Sequence, residues 1–378
     1  MESIATFSGT RARSAARPRI ESKRRLATPR RRVSGNQAPT PERLMQRAWG
    51  YAPPLILETA LHYRLFDLLD EAPRTVRDLA ARSGASARGL TAILNALVGL
   101  EFLAKRGDRY ALTPESAAFL VSTKPAYHGG FFRHVIRQIL PQWLRLKEVV
   151  GSGRQAVTAN QQGEGQQFFA EFVEGLFPMS YKAAQVLGEH LGIPRATSPT
   201  SVLDIGAGSG VWGIALAHQS PRVTVRAVDW PAVLKVTNKL ARRHGVGDRL
   251  RTVAGDLLKA DFGTGHRVAT IGHILHSEGP DRSRQLLRKT FAALAPGGTI
   301  AISEFVPNDD RTGPPLPLIF AINMLLHTEA GDTFTFAEMA EWLREAGFAN
   351  PRLLKAPAPS PLILATKPAF AAPSRGRG

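Results

Sequence analysis

Residues 204 to 210 read Asp204-Ile205-Gly206-Ala207-Gly208-Ser209-Gly210, at the end of the apolar run that starts at Val202-Leu203. Glycines so closely spaced permit a tight turn and a close approach of backbone to ligand, at the crevice beyond a strand's carboxyl end. From Ser201 onward, strand, turn and helix alternate. Val223 to Val228, Leu250 to Ala254, Val268 to Leu275 and Thr299 to Glu304 read as further strands. Pro231 to His244, stopped by Gly245, and Asp281 to Leu294, stopped by Pro296-Gly297-Gly298, read as helices between them. Repeated βα units predict an α/β fold, a doubly wound, mostly parallel sheet covered on both faces. Arg352 to Lys355 and Leu362 to Thr366, joined by a Pro-rich loop, predict an antiparallel hairpin at the sheet edge.

Ahead of this domain the order is different. Leu55-Ile56-Leu57, Ala60-Leu61, Leu65-Phe66 and Leu68-Leu69 recur at helical spacing up to Ala72-Pro73. Thr75, with Asp78 three places on, opens a second helix by a capping-box-like start. A third carries Leu90, Ile93, Leu94 and Leu97 on one face, and Phe102 to Arg106 and Arg109 to Leu112 form two short strands around Gly107-Asp108. Helix, helix, helix, hairpin is the order of a winged helix. The expected domains are a basic tail over 1–40, the winged helix with connecting helices over 41–150, a Gly-, Gln- and Ser-rich linker over 151–167, the α/β domain over 168–368, and a short tail over 369–378.

Composition narrows the function classes. The chain has no cysteine, which excludes disulfides, thiolate metal sites and a cysteine nucleophile, and suits a cytoplasmic protein. No apolar run reaches the length of a membrane span. The net charge of +18 is uneven: residues 1–40 hold ten Lys/Arg against Glu2 and Glu21, a net of +8. That segment lacks apolar periodicity and is expected to be disordered. It reads as a solvated extension, an organellar transit peptide or a loose nucleic-acid tether, and Met45, ahead of the first expected helix, is a candidate start.

The Gly-rich loop admits two nucleotide readings. A dinucleotide fold wants G-x-G-x-x-G, whose third glycine would fall on Val211. The chain has G-x-G-x-G instead, with Asp204 two places before the first glycine, a spacing suited to S-adenosylmethionine, which has no pyrophosphate to seat. Asp229 ends the second strand, where a carboxylate can accept both ribose hydroxyls. Asp256, after the third strand, can take the adenine amino group.

The chain resembles the O-methyltransferases of the plant caffeate/flavonoid and animal hydroxyindole type, a family with many bacterial members. The resemblance runs from about Leu55 to Lys367 and rests on Arg109-Tyr110-Ala111-Leu112-Thr113-Pro114 and on Asp204 to Gly210. It implies a winged-helix dimerisation domain, a homodimer, a class I methyltransferase domain and S-adenosyl-L-methionine as cofactor. It also implies that Gly206, Gly208, Asp229 and Asp256 bind the cofactor and that Trp230 and Leu257 flank the adenine; Asp204, in the same loop, is counted with them as cofactor-binding. Met179, in Phe177-Pro178-Met179-Ser180, matches the segment whose methionine lines the methyl-transfer site.

Methyl transfer from a sulfonium needs an aligned acceptor, removal of its proton and exclusion of water. His276, expected at the end of the fourth strand, matches the family's general base, and Glu304 matches a carboxylate that orients it. Asn323, Met324 and His327 match the stretch lining the acceptor pocket. His273 reads as structural, and a methionine at helical spacing also reads as core. Two departures stand out. Ser277-Glu278 follows His276 where the family has Asp-Trp, and Thr333 stands where a second carboxylate belongs, with Glu329 as a candidate replacement.

The expected function is methyl transfer to a hydroxyl of a small, aromatic metabolite, with no metal and no membrane partner, and with nucleic acid disfavoured as a partner. C- or N-methylation on the same fold remains open. An S-adenosylmethionine-sensing DNA-binding regulator is disfavoured, because the third helix has no Lys or Arg between Arg88 and Leu100. A ribosomal RNA methyltransferase could use the basic tail but would lack a separate RNA-binding module.

Overall fold

A computed structural model describes residues 40–158, 162–357 and 360–369. Both expected tails lie outside these residues, apart from Thr40 and Ala369. The chain divides into a short unit ending at Gly50 and a large one from Tyr51 onward. In the short unit, α1 (Glu42–Ala48) contains Met45, so the candidate start lies inside the first helix and not ahead of it.

The large unit opens with α2 (Ala52–His62) and α3 (Leu65–Glu71). The periodic run expected as one helix breaks at Arg64, which adopts a left-handed φ of 56°. The break lets Leu57 and Ala60 on one piece and Leu65, Phe66 and Leu69 on the other bury in one cluster. β1 (Arg74–Thr75) precedes α4 (Val76–Ser83), whose capping box is present: Thr75 Oγ1 accepts from the Asp78 N–H, and the Asp78 carboxylate accepts from the Thr75 N–H. After α5 (Ala87–Gly99), β2 (Leu103–Arg106) and β3 (Arg109–Leu112) join β1 in an antiparallel sheet ordered β1-β3-β2. The expected three helices are thus four, with β1 between the first pair and the second, and the predicted hairpin follows them; all pack around Leu79, Leu94, Leu97 and Tyr110.

Next come α6 (Pro114–Phe119), α7 (Gly129–His134), a π-helical turn at Val135–Ile139, α8 (Leu140–Trp143) and α9 (Leu146–Ser152). The long α10 (Gln162–His190) follows, so the expected linker over 151–167 is shorter than its composition suggested. Gly130 of α7 and Gly175 of α10 face each other so closely that a Cβ on either would lie within 2.9 Å of the other's Cα. This crossing brings α7 against α10 and sets the aromatic face of both toward the α/β domain.

That domain consists of β4 (Thr200–Ile205), α11 (Val211–Gln219), β5 (Val223–Asp229), α12 (Pro231–Arg243), β6 (Leu250–Ala254), β7 (His266–Gly272), α13 (Leu275–Ala293), β8 (Leu294–Ser303), α14 (Pro315–His327), α15 (Phe336–Glu345), β9 (Ala349–Leu354) and β10 (Leu362–Thr366). The seven-stranded sheet runs β6-β5-β4-β7-β8-β10-β9. β6 to β8 pair in parallel, and β10 pairs antiparallel with both β8 and β9. The chain reverses direction across the sheet at β4, between β5 and β7, where doubly wound folds open a crevice at the carboxyl ends of their strands. Separate apolar clusters cover the two faces.

Candidate active site

The crevice is shaped first by the β4–α11 loop. Gly206, Gly208 and Gly210 all take positive φ, of 62°, 55° and 75°. At Gly206 a Cβ would come within 2.3 Å of Ile274 Cδ1, so both the conformation and the space demand glycine. Asp204 lies beneath this loop, fully buried. Its carboxylate accepts the Gly213 N–H at 3.0 Å and the Thr270 hydroxyl at 2.8 Å, tying β4 to α11 and β7. Burial pushes its carboxyl up to about 7 despite these bonds. Asp204 does not line the cavity, so its part is to hold the loop and not to touch a ligand.

Above the loop is a cavity of about 270 Å³. Gly206, Gly208, Asp229, Trp230, Asp256 and Leu257 line one part of it. Asp229 accepts the Gly208 N–H at 2.8 Å on one oxygen and the Trp230 N–H at 2.7 Å on the other. Burial pushes its carboxyl up to about 6, while the two N–H donors pull the opposite way. A Cβ on Gly208 would meet nothing closer than Val173 Cγ1 at 3.8 Å, so open space remains beside the loop. Asp256 takes an Arg282 N–H at 3.0 Å, and Arg282 also donates to Glu278 at 2.6 Å. Glu278 thus forms part of a charged network in the cavity lining.

Met179, His276, Asn323, Met324 and His327 line the other part of the same cavity. His276 is not at a strand end. β7 stops at Gly272, His273 turns the chain with a φ of 59°, and His276 lies in the first turn of α13. Glu304, immediately after β8, holds it at two points: one oxygen lies 2.8 Å from Nδ1 and the other accepts the His276 N–H at 3.2 Å. Burial alone would raise the Glu304 carboxyl, but His276, its hydrogen bonds and the His273 ring outweigh it and hold the carboxyl below the usual range. An ionised Glu304 can only accept, so Nδ1 carries the proton and Nε2 is left with a lone pair. His273 lies against the pair and burial pushes its ring down to about 4. His273, His276 and Glu304 have ligand atoms within 4.8 Å of one another. The short His276–Glu304 bond makes the pair a hydrogen-bonded dyad.

Thr333 is fully buried and its hydroxyl donates to the Pro317 carbonyl at 3.2 Å. Glu329 is exposed and does not line the cavity, so it does not replace the missing carboxylate. Five phenylalanines also line the cavity, Phe131, Phe168, Phe172, Phe305 and Phe320, with His134 stacked on Phe172 at 3.7 Å. Sequence reasoning missed this wall. The cluster Phe168-Phe169-Phe172 was a visible signal, but α7 and α10 meet the α/β domain only in three dimensions.

Comparison with known proteins agrees with this geometry. A family model described as an O-methyltransferase dimerisation domain matches residues 45–122, and one described as an O-methyltransferase domain matches residues 138–349. The chain is 31% identical to 3-hydroxy-5-methyl-1-naphthoate 3-O-methyltransferase of Streptomyces sahachiroi, over 80% of this chain and 88% of that protein. It is 28% identical to the S-adenosyl-L-methionine-dependent methyl transferase PigF of a Serratia species, over 87% of this chain and 96% of that protein. A solved structure of PigF with S-adenosylhomocysteine has a TM-score of 0.73 at 26% identity, covering 87% of this chain and all of that one. A candidate O-methyltransferase from Nostoc punctiforme has a TM-score of 0.79 at 29% identity, covering 88% of this chain and all of the other.

Proposed function

Because this chain belongs to the S-adenosylmethionine-dependent O-methyltransferase family, we propose that it methylates a hydroxyl of a small aromatic metabolite with His276 as general base. The observation that carries this reading is the His276–Glu304 pair on the wall of a cavity whose opposite part holds the Gly206 loop and Asp229. When bound, S-adenosylmethionine supplies an electrophilic methyl group on a sulfonium. The Gly206 loop and Asp229 would hold it, and Trp230, Leu257 and Asp256 would receive its adenine. Met179, Asn323, Met324 and the phenylalanine wall align the acceptor and keep water out. His276 Nε2 takes the acceptor's proton, and Glu304 fixes the tautomer and stabilises the cation that forms.

The working form is proposed to be a homodimer joined through the N-terminal module, which the dimerisation-domain match supports. Among the described residues no helix is long and apolar enough to cross a membrane. Transfer to carbon or nitrogen is the second reading, favoured by Thr333, which leaves His276 with Glu304 as its one matched carboxylate. Release of S-adenosylhomocysteine should be followed over a panel of phenolic acceptors, with the products identified. His276→Ala should lower turnover about 10²- to 10⁴-fold with cofactor affinity unchanged. Near wild-type turnover in that variant, on a phenol that the protein methylates at oxygen, would refute the assignment of the base.

A further inference from the structure

α14 ends in the cavity wall with His327, whose ring is 2% exposed. Its Nδ1 lies 2.8 Å from the backbone carbonyl oxygen of Asn323. A carbonyl can only accept, so Nδ1 carries the ring's proton and Nε2 presents a lone pair. Burial pushes this imidazole below its usual range, against the pull of the Asn323 carbonyl, and so favours the neutral ring. Nε2 is itself buried and has no hydrogen-bond partner among the described residues. A buried acceptor without a donor is unfavourable, a penalty that a ligand donor would remove.

Two polar atoms of neighbouring side chains are already engaged. His134 Nδ1 is 2.6 Å from Gln138 Oε1, and the Asn323 side-chain oxygen accepts from Trp143 Nε1 at 3.1 Å. Phe168 packs at 6.0 Å from the His327 ring. His327 Nε2 therefore asks for a donor in a largely apolar wall.

We propose that His327 is a specificity-determining residue: the site takes a flat aromatic acceptor with a second O–H or N–H donor, directed at His327 Nε2, besides the hydroxyl that faces His276. A methyl ether or ketone at that second position would set acceptor against acceptor. This inference rests on the reading of the cavity as a methyl-acceptor site.

The test measures binding, so it does not depend on the base. Dihydroxynaphthalene isomers and their monomethyl ethers are titrated by calorimetry into the full chain saturated with S-adenosylhomocysteine. At least one isomer should bind about tenfold tighter than its ether, since a site built around a hydrogen bond rejects the analogue that lacks it. His327→Phe should abolish that preference, and His327→Gln, which restores an acceptor oxygen, should recover part of it. His276→Ala should lose turnover and keep the preference, which separates failure of this inference from failure of the base assignment. Nitrogen-15 NMR of the wild-type imidazole should place the proton on Nδ1, a readout independent of whether any variant folds. The proposal is overturned if no isomer is preferred to its ether, if the preference survives in His327→Phe, or if the proton is on Nε2.

Discussion

Replacing Asp229 offers the sharpest test of how the cofactor is held. Each carboxylate oxygen already accepts one backbone N–H, from Gly208 at 2.8 Å and from Trp230 at 2.7 Å, and each keeps a lone pair for a ribose hydroxyl. Hydrogen bonds to a charged group contribute about 1.5 to 3 kcal/mol each. Losing both in Asp229→Ala should weaken S-adenosylhomocysteine binding by about 10²- to 10⁴-fold. Asp229→Asn keeps one acceptor oxygen and should lose about ten- to a hundredfold. The variants also differ in their response to pH. Burial pushes the wild-type carboxyl up to about 6, and its ionised form is the better acceptor. Affinity should therefore be level above that value and fall up to about tenfold for each unit below it, with a proton released on binding. Asp229→Asn has nothing to titrate there and should lose this slope. Calorimetry from about pH 8 to about pH 5 reads both quantities. A wild-type affinity flat across that range, or a slope surviving in Asp229→Asn, would show that Asp229 does not hold the ribose.

Glu304→Gln should lower turnover less than His276→Ala, and the double variant should be little worse than His276→Ala alone, because Glu304 acts through the ring it orients; additive losses would refute this. Gly206→Ala forces a φ of 62° on alanine and drives its Cβ into Ile274. The backbone strain alone should cost about 1 to 2 kcal/mol, read as a lower denaturant midpoint at unchanged slope. Light scattering at micromolar concentration should give twice the monomer mass, and a monomer would refute the homodimer.

The cofactor loop was legible because one short stretch of chain both forms and shapes it. The left-handed turns at Gly206, Gly208 and Gly210 need glycine wherever they occur, and Asp229 stands at the carboxyl end of its strand in any sheet of this topology. The alternation of strand and helix likewise carried the parallel sheet, and the capping box at Thr75 marked the start of α4. The break at Arg64 was not visible, since a helical apolar period continues through it and only the shared core demands the bend.

The part of the cavity around His276 was decided in three dimensions. His276 was identified by its likeness to the family base, yet a strand was read through to Leu275 because apolar residues run past the turn at His273. Asp204 looked like a cofactor ligand by its place in the motif, but packing buries its carboxylate against Gly213 and Thr270. The phenylalanine wall joins residues of α7, α10 and α14, and the contact of Gly130 with Gly175 sets two of those helices together. The lone pair of His327 depends on a carbonyl one helical turn earlier and on burial by Phe168, more than a hundred residues away in the chain. Local conformation follows from the preferences of neighbouring residues, whereas the environment of a side chain is set by whatever distant segment the fold packs against it.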